Sequence, residues 1–185
     1  MLGKKKPVHI TIDDGPSLEY TASIVGILKA HKARATFFVL GQHMEKWPYQ
    51  ADMLKDFQVA NHGYEHINNW RTSPRKQREN IQRVEDKFPD IEKYYRPPYG
   101  LLTITQVLYC YGRLGIKMWT LMTYDFNHDK SQYALWKRIQ YALKKKRSIL
   151  VFHDNKKSSK HTRWLLNRSL LEIDKLSKET KVYDG

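Results

Sequence analysis

The sequence predicts an α/β fold, a distorted (β/α) barrel of about seven parallel strands with its functional site at the C-terminal ends of those strands. Two observations favour this fold. Short β-rich runs alternate with segments in which apolar residues recur at helical spacing. In addition, residues 35–40 form an unbroken apolar run, which is typical of parallel strands that are covered on both faces.

Each predicted element has a local signal. Apolar residues alternate along the first predicted strand, residues 7–12, and an Asp-Asp-Gly-Pro turn ends it. The other predicted strands are residues 35–40, 58–60, 94–96, 117–121 and 148–152. Helical spacing predicts helices at residues 20–31, 48–57, from Ser73-Pro74 onward, 104–114, 132–145 and 162–177.

Length and composition indicate one globular domain. With 185 residues and a hydrophobic fraction of 41%, the chain can bury a full-sized core, and residues 1–185 contain no repeat or linker. No apolar run approaches the roughly 18–20 residues that cross a bilayer. The N-terminus lacks the apolar segment of a signal peptide, so the compartment stays open. Cys110 lies in an apolar stretch and is interpreted as a buried structural thiol.

The charge of the chain is strongly basic and uneven. The net charge is +14, and residues 130–185 account for +10 of it, with 15 Lys+Arg against 5 Asp+Glu. Such a surface attracts anionic partners, among them nucleic acid, anionic lipid and acidic wall polymers. A solvated basic surface without a partner is the simpler alternative for the run Lys144, Lys145, Lys146 and Arg147.

Residues capable of chemistry follow five of the predicted strands. Because the C-terminal ends of parallel strands meet at one edge of a sheet, we expect these side chains to lie close together. They are Asp13, Asp14, His62, His66, Arg96, Asp125 and His153. Taken singly, each has an ordinary alternative: a solvated turn, a surface ion pair or a buried core histidine.

Together, these residue types fill complementary roles. Asp14, His62 and His66 form a set of two histidines and one carboxylate, and three protein ligands with open positions are what catalytic zinc needs. An ion bound there would activate water and polarise a carbonyl group. Asp13 is one residue from a ligand and is therefore placed to act as the general base.

Five motifs in order resemble those of the polysaccharide deacetylase (NodB-like) family, carbohydrate esterase family 4, over nearly the whole chain. They are Thr-Ile-Asp-Asp-Gly-Pro at 11–16, Asn-His-Gly-Tyr-Glu-His at 61–66, Arg-Pro-Pro-Tyr-Gly at 96–100, Tyr-Asp-Phe at 124–126 and Ile-Leu-Val-Phe-His at 149–153.

The resemblance implies a role for each position. It implies that Arg96 orients Asp13 as the base, and that Asp125 tunes His153 as the general acid. The backbone N–H of Tyr99 would help to hold the oxyanion. The implied metal ligands are Asp14, His62 and His66, and the implied pocket residues are Phe126, Val151 and Pro97.

Four departures from the family pattern bear on rate and substrate choice. Ile12 replaces Phe, and Phe126 replaces Trp. Gly63 replaces a hydroxyl residue, which removes a hydrogen bond that would brace the metal loop, the segment between His62 and His66. Residues 119–122, which end at Met122, lack the acidic residues that many members carry there. No departure removes a ligand, the base or the acid.

The resulting hypothesis is a metal-dependent hydrolase that removes N-acetyl groups from an amino-sugar polymer or oligomer of peptidoglycan or chitin type and releases acetate. Zn²⁺ is the favoured cofactor, with Co²⁺, Mn²⁺, Fe²⁺ and Ni²⁺ as alternatives. Two other hypotheses stay open. The same site could serve an O-acetyl xylan esterase or a small-amide hydrolase, or the chain could be a non-catalytic basic binding domain.

The expected partners follow from this hypothesis. They are an acetylated glycan substrate and, through the basic C-terminal third, an anionic envelope polymer. We expect no nucleic acid partner and no transmembrane segment. The resemblance favours an extracytoplasmic or cell-envelope location.

Overall fold

Seven parallel strands form one sheet in this computed structural model, which describes residues 8–144 and 148–182, with residues 177–182 described by backbone alone. The strands are β1 (Val8–Asp13), β2 (Ala35–Val39), β3 (Gln58–Asn61), β4 (Glu92–Tyr95), β5 (Gly115–Ile116), β6 (Leu121–Met122) and β7 (Ser148–His153). Their spatial order is β5-β4-β3-β2-β1-β7-β6. The two edge strands do not pair with each other, so the sheet is an open half-barrel, and the predicted distorted (β/α) barrel is confirmed.

Helices connect these strands. They are α1 (Thr21–Ala30), α2 (Gly41–Lys46), α3 (Pro48–Asp52), α4 (Pro74–Lys87), α5 (Ile104–Cys110), α6 (Gln132–Leu143) and α7 (Thr162–Val182). Several begin where the sequence predicts, because a hydroxyl side chain caps the first turn. Ser73 accepts from the backbone N–H of Lys76 at the start of α4, and Thr103 forms a capping box with Gln106 at the start of α5.

The predicted strand at residues 117–121 is wrong. This segment instead crosses the open side of the half-barrel, because its two ends bond to different strands. The Lys117 N–H donates to the Tyr95 carbonyl at 2.9 Å, whereas the Thr120 N–H donates to the Ile149 carbonyl at 3.1 Å. The regular pairing is therefore confined to the two-residue strands β5 and β6 at opposite edges of the sheet.

The predicted helix at residues 48–57 is also shorter than expected. It is the five-residue α3, and α2 precedes it in a segment for which no helix was predicted. Tertiary bonds hold the start of α2, since the N–H groups of Gly41 and Gln42 donate to the carbonyls of Gly63 and Tyr64, both at 3.0 Å. The spacing of apolar residues does not reveal such tertiary contacts, so the sequence gives no signal for α2.

The two faces of β1 have different surroundings. Ile10 and Ile12 belong to the main hydrophobic core, where α1, α6 and α7 cover the outer face of the sheet. Thr11 and Asp13 are also buried but point to the opposite, inner face. The alternation of side chains along β1 therefore places apolar residues in the core and polar residues on the inner face, which ends at the rim of the sheet.

Cys110 lies in a second, smaller core with Ile81, Tyr95 and Leu114. It is 1% exposed, and burial raises the pKa of its thiol to about 11. Both observations agree with a structural thiol. In the part of the chain that the structure describes, no helix has the length and apolar character needed to cross a bilayer.

Candidate active site

The Asp-Asp-Gly-Pro turn lies at the C-terminal end of the central strand. Asp13 ends β1 and is in register with Phe38 of β2 and His153 of β7. Asp14 follows with φ of 75°, a left-handed conformation that Asp tolerates better than most residues. Parallel pairing with both neighbours thus brings the polar ends of three strands to one rim.

Asp14, His62 and His66 bring their donor atoms together as predicted. Asp14 Oδ1 lies 3.4 Å from His62 Nε2 and 3.2 Å from His66 Nε2. One ligand atom from each residue fits within a span of 4.8 Å. Asp14 Oδ1 is buried and has no hydrogen-bond partner among the described residues, and this fits a role as a metal ligand.

The protonation of these three groups also suits a divalent metal. Nδ1 of His62 donates to the Arg96 carbonyl at 2.8 Å, which leaves the Nε2 lone pair directed at Asp14. Burial lowers the pKa of His66 to about 4, so this ring is neutral at pH 7. Burial alone would raise the pKa of Asp14, but the adjacent His62 and the other nearby histidines lower it well below its usual range. A neutral imidazole and an ionised carboxylate are the forms that bind metal.

Arg96 holds Asp13 from inside the barrel. Its Nη1 lies 2.6 Å from Asp13 Oδ1 and donates to Thr11 Oγ1 at 2.8 Å. Nε donates to the Lys117 carbonyl at 3.0 Å, and the guanidinium lies 3.9 Å from the centre of the Phe38 ring. Arg96 is fully buried, so the orientation of Asp13 is fixed by a rigid partner.

Asp125 and His153 form the second predicted pair. His153 Nδ1 donates to Asp125 Oδ1 at 2.7 Å, and the His153 backbone N–H donates to Oδ2 at 2.8 Å. Thr162 completes the arrangement by donating to Oδ2 at 2.5 Å. Burial disfavours the charged imidazole, but the neighbouring Asp125 carboxylate outweighs it and raises the pKa of His153 to about 9. His153 is therefore protonated at neutral pH.

One cleft of about 680 Å³ is lined by Asp13, Asp14, His62, His66 and His153. Aromatic side chains form much of its wall: Tyr99, Trp119, Tyr124 and Phe126. The Tyr99 ring lies edge-on to His66 at 4.3 Å, and the Phe126 ring lies edge-on to His153 at 5.1 Å. Sugar rings stack on such surfaces, so the wall suits a carbohydrate.

Two of the three predicted pocket residues line this cleft. Pro97 and Phe126 do so, and Phe126 is 36% exposed. Val151 is fully buried and does not line it. The register explains the difference, because Val151 pairs with Thr11 one layer below the Asp13–His153 pair. It supports the floor of the site from beneath.

Residues that the sequence did not single out complete the site. Asn155 Nδ2 donates to Asp14 Oδ2 at 2.6 Å, and His43 Nδ1 donates to the Asp14 carbonyl at 2.8 Å. Lys156 and Lys157 lie on the cleft rim beside Asn155. The position of Asn155 two residues after His153 is a signal that could have identified it.

Comparison with known proteins defines the relationship. Residues 2–119 match the sequence profile of polysaccharide deacetylases. The chain belongs to this family. A peptidoglycan-N-acetylglucosamine deacetylase of Bacillus cereus is 33% identical over 129 residues, which are 66% of this chain and 47% of that protein. The peptidoglycan-N-acetylmuramic acid deacetylase PdaC of Bacillus subtilis is 31% identical over 81% of this chain and 32% of its own length. The chain thus spans less than half the length of both relatives.

Solved structures of the family share the fold. The Bc1960 peptidoglycan N-acetylglucosamine deacetylase has a TM-score of 0.84 at 25% identity, with 95% of this chain and 85% of that chain covered. A family 4 pseudoenzyme from Bacillus anthracis has a TM-score of 0.80 at 25% identity, with 94% and 62% covered. Because a pseudoenzyme has this fold too, the fold alone does not establish catalysis, and the side chains of the cleft must carry that argument.

Proposed function

We propose that this chain is a metal-dependent deacetylase that hydrolyses the N-acetyl groups of a cell-wall glycan of peptidoglycan type and releases acetate. One observation carries the proposal. A set of metal donors, an arginine-held carboxylate and a carboxylate-held histidine all face a single cleft lined with aromatic rings. These are the parts that metal-assisted amide hydrolysis requires.

The proposed roles of Asp13 and His153 follow from their partners. Arg96 occupies one oxygen of Asp13, so the other can accept a proton from the attacking water. His153 carries its proton on the ring edge that faces away from Asp125, and it can protonate the leaving nitrogen. A single pair of groups thus supplies both proton transfers.

The acetyl oxygen gains negative charge as the water attacks. We assign its stabilisation to the Tyr99 backbone N–H, and one such donor typically contributes a few kcal/mol. A divalent ion held by Asp14, His62 and His66 would supply Lewis acidity and lower the pKa of the attacking water. The donor set suits Zn²⁺ and also Co²⁺, Mn²⁺, Fe²⁺ and Ni²⁺.

The proposed substrate comes from the relatives and the cleft together. The relatives are named for N-acetylglucosamine and N-acetylmuramic acid of peptidoglycan. Acetylated peptidoglycan lies outside the cytoplasm, so we propose an extracytoplasmic site of action. The anionic envelope polymer that the basic third would contact is part of the same proposal.

A panel of acetylated substrates tests this function. Acetate release is measured with peptidoglycan, chitin oligomers, acetylxylan and a small N-acetyl amide. We expect release from peptidoglycan, and Asp13→Asn should lower kcat by roughly 100- to 10,000-fold, as loss of a general base does. The metal content of the variant should match that of the wild type.

Two results would contradict the proposal. Turnover that survives Asp13→Asn would show that another group is the base. Release from acetylxylan alone would identify an ester hydrolase.

A further inference from the structure

The loop between His62 and His66 has glycine at position 63 and therefore no side chain there to brace it, yet it is tightly bonded. The carbonyls of Gly63 and Tyr64 accept from the start of α2, both at 3.0 Å. Asn61 Oδ1 accepts from the Gly63 N–H at 2.7 Å. These contacts hold the first half of the loop, next to His62.

Asn80 of α4 holds the second half. Its Oδ1 accepts from the Glu65 N–H at 2.8 Å, and its Nδ2 donates to the Glu65 carbonyl at 3.0 Å. Its own backbone carbonyl accepts from the Tyr64 N–H at 2.9 Å. One residue therefore makes three hydrogen bonds to the two positions that immediately precede His66.

Asn80 is itself held rigidly. It is 7% exposed, and its neighbour Ile81 is fully buried in the second core with Tyr95 and Cys110. The Ile81 carbonyl also accepts from Asn61 Nδ2 at 3.0 Å. Because α4 is anchored in this way, the amide of Asn80 is a fixed point against which the loop is positioned.

Gly63 and Asn80 are a matched pair. Gly63 has φ of +92°, and a Cβ at this position would lie 2.4 Å from Asn80 Nδ2 and 3.2 Å from the Glu65 carbonyl oxygen. Asn80 thus fills the space that a side chain at position 63 would need. With glycine at position 63 the loop has no hydroxyl group there, and the Asn80 side-chain amide of α4 occupies the space.

We propose that Asn80 is a positioning residue that takes over the bracing of the metal loop and sets the affinity of the site for its metal. The proposal rests on the metal-dependent function proposed above. His62 is oriented separately by the Arg96 carbonyl. Loss of Asn80 therefore releases His66 more than His62, and the site should change from three ligands toward two.

Zinc affinity of the metal-free protein tests this role. The Kd is measured by competition with a chromophoric chelator for the wild type, Asn80→Ala and a control, Gln82→Ala, at an exposed position of the same helix. We expect Asn80→Ala to weaken zinc binding about 10- to 100-fold, the usual effect of losing a residue that orients a ligand. Gln82→Ala should match the wild type.

Measurements of kcat at saturating zinc and of thermal unfolding distinguish a positioning role from general damage to the fold. At saturating zinc, the kcat of Asn80→Ala should recover most of the wild-type value, and the metal-free variant should unfold within a few degrees of the metal-free wild type. A wild-type Kd in Asn80→Ala would overturn the proposal, and so would weaker binding accompanied by collapse of the metal-free fold. If the wild type itself binds no zinc or related ion, the proposed function fails as well.

A double-mutant cycle with Gly63→Ala gives a second test of the pairing between the two residues. Gly63→Ala should weaken zinc binding because the new Cβ displaces Asn80. In the Asn80→Ala background, Gly63→Ala should weaken zinc binding clearly less, since the new Cβ no longer meets the Asn80 amide. Strictly additive effects on Kd would show that the two residues act independently and would overturn the pairing.

Discussion

The contact of His153 with both oxygens of Asp125 gives the cleft an acid that keeps its proton at neutral pH. Asp125 is fully buried, so its negative charge acts on the imidazole with little screening by water. The pKa of His153 is raised to about 9, and a general acid with this pKa is protonated below pH 9 and loses its proton above it. Activity that depends on this proton should fall on the alkaline side.

Asp125→Asn tests this pH dependence. The change removes the charge that raises the pKa of His153, so burial should dominate and lower it. The alkaline limb of the kcat profile should therefore move to lower pH. The measurement is acetate release from pH 6 to pH 10, with Phe126→Leu as a control that alters the other neighbour of the ring and keeps the carboxylate. An unchanged alkaline limb would show that Asp125 does not tune the acid.

At the scale of single residues, the sequence predicted the groups that follow strands and missed those that reach the site from elsewhere. Asp13 and His153 end parallel strands and Arg96 directly follows one, so their proximity follows from strand pairing. Asn80 reaches the metal loop from the middle of a helix, and its contact depends on the packing of α4. Such a contact has no local signal in the sequence, so the sequence alone could not show what surrounds Gly63.

The turn Pro98–Gly100 and the crossing segment at residues 117–121 together form one wall of the cleft. Gly100 has φ of +69°, and a Cβ there would lie 2.4 Å from Cη2 of Trp119. Trp119 lines the cleft, and the centre of its ring lies 5.8 Å from the Arg96 guanidinium. The Gly100 backbone therefore packs closely against the indole, in the same turn that carries Tyr99.

Gly100→Ala, compared with Gly112→Ala, tests this contact. Both glycines have left-handed backbones, with φ of +69° and +70°, but a Cβ at Gly112 meets nothing within 4 Å. Gly112→Ala should lower the free energy of unfolding by about 1–2 kcal/mol, the cost of that conformation alone. Gly100→Ala should lower it by roughly 1–3 kcal/mol more, because a packed ring must move.

Urea denaturation and kcat/KM provide the readout for this pair. Only Gly100→Ala should also reduce kcat/KM, since only that change disturbs the cleft. Equal losses of stability and unchanged kinetics in both variants would show that the wall tolerates a displaced Trp119.

At the scale of elements, the long and strongly patterned segments were predictable and the short ones were not. The apolar strand at Ala35–Val39 and the capped helix α4 formed as expected, because burial and capping are local to the sequence. β5 and β6 have two residues each, and α2 depends on bonds to the metal loop. Their formation follows from contacts with neighbouring strands and loops and not from their own composition.

For the molecule as a whole, the asymmetric charge predicts docking on an anionic wall polymer. The basic run begins at Lys144, and Lys145, Lys146 and Arg147 lie outside the described residues. Replacing all four with Gln should reduce acetate release from intact walls several-fold and leave release from short oligomers unchanged. Long-range attraction affects encounter with a polymer more than chemistry in the cleft, and added salt should remove the difference.

The control for this variant changes as many cations on the rest of the surface. Four exposed positions serve: Lys32, Arg34, Lys46 and Lys93. An equal loss on walls and oligomers in the first variant, or an equal loss on walls in both variants, would count against docking by the basic third.

The assignment of residues 1–185 to one catalytic domain stays a prediction.

The central claim, that Asp14, His62 and His66 hold a catalytic metal, is tested most directly by titrating metal into chelator-stripped protein while acetate release from peptidoglycan is followed. We expect no turnover without metal and full turnover at one Zn²⁺, or one equivalent ion, per chain. His66→Ala, which removes one donor of the three, should bind the ion far more weakly and stay inactive at that ratio. Full activity in the stripped wild type, or metal-restored activity in His66→Ala equal to that of the wild type, would contradict the claim.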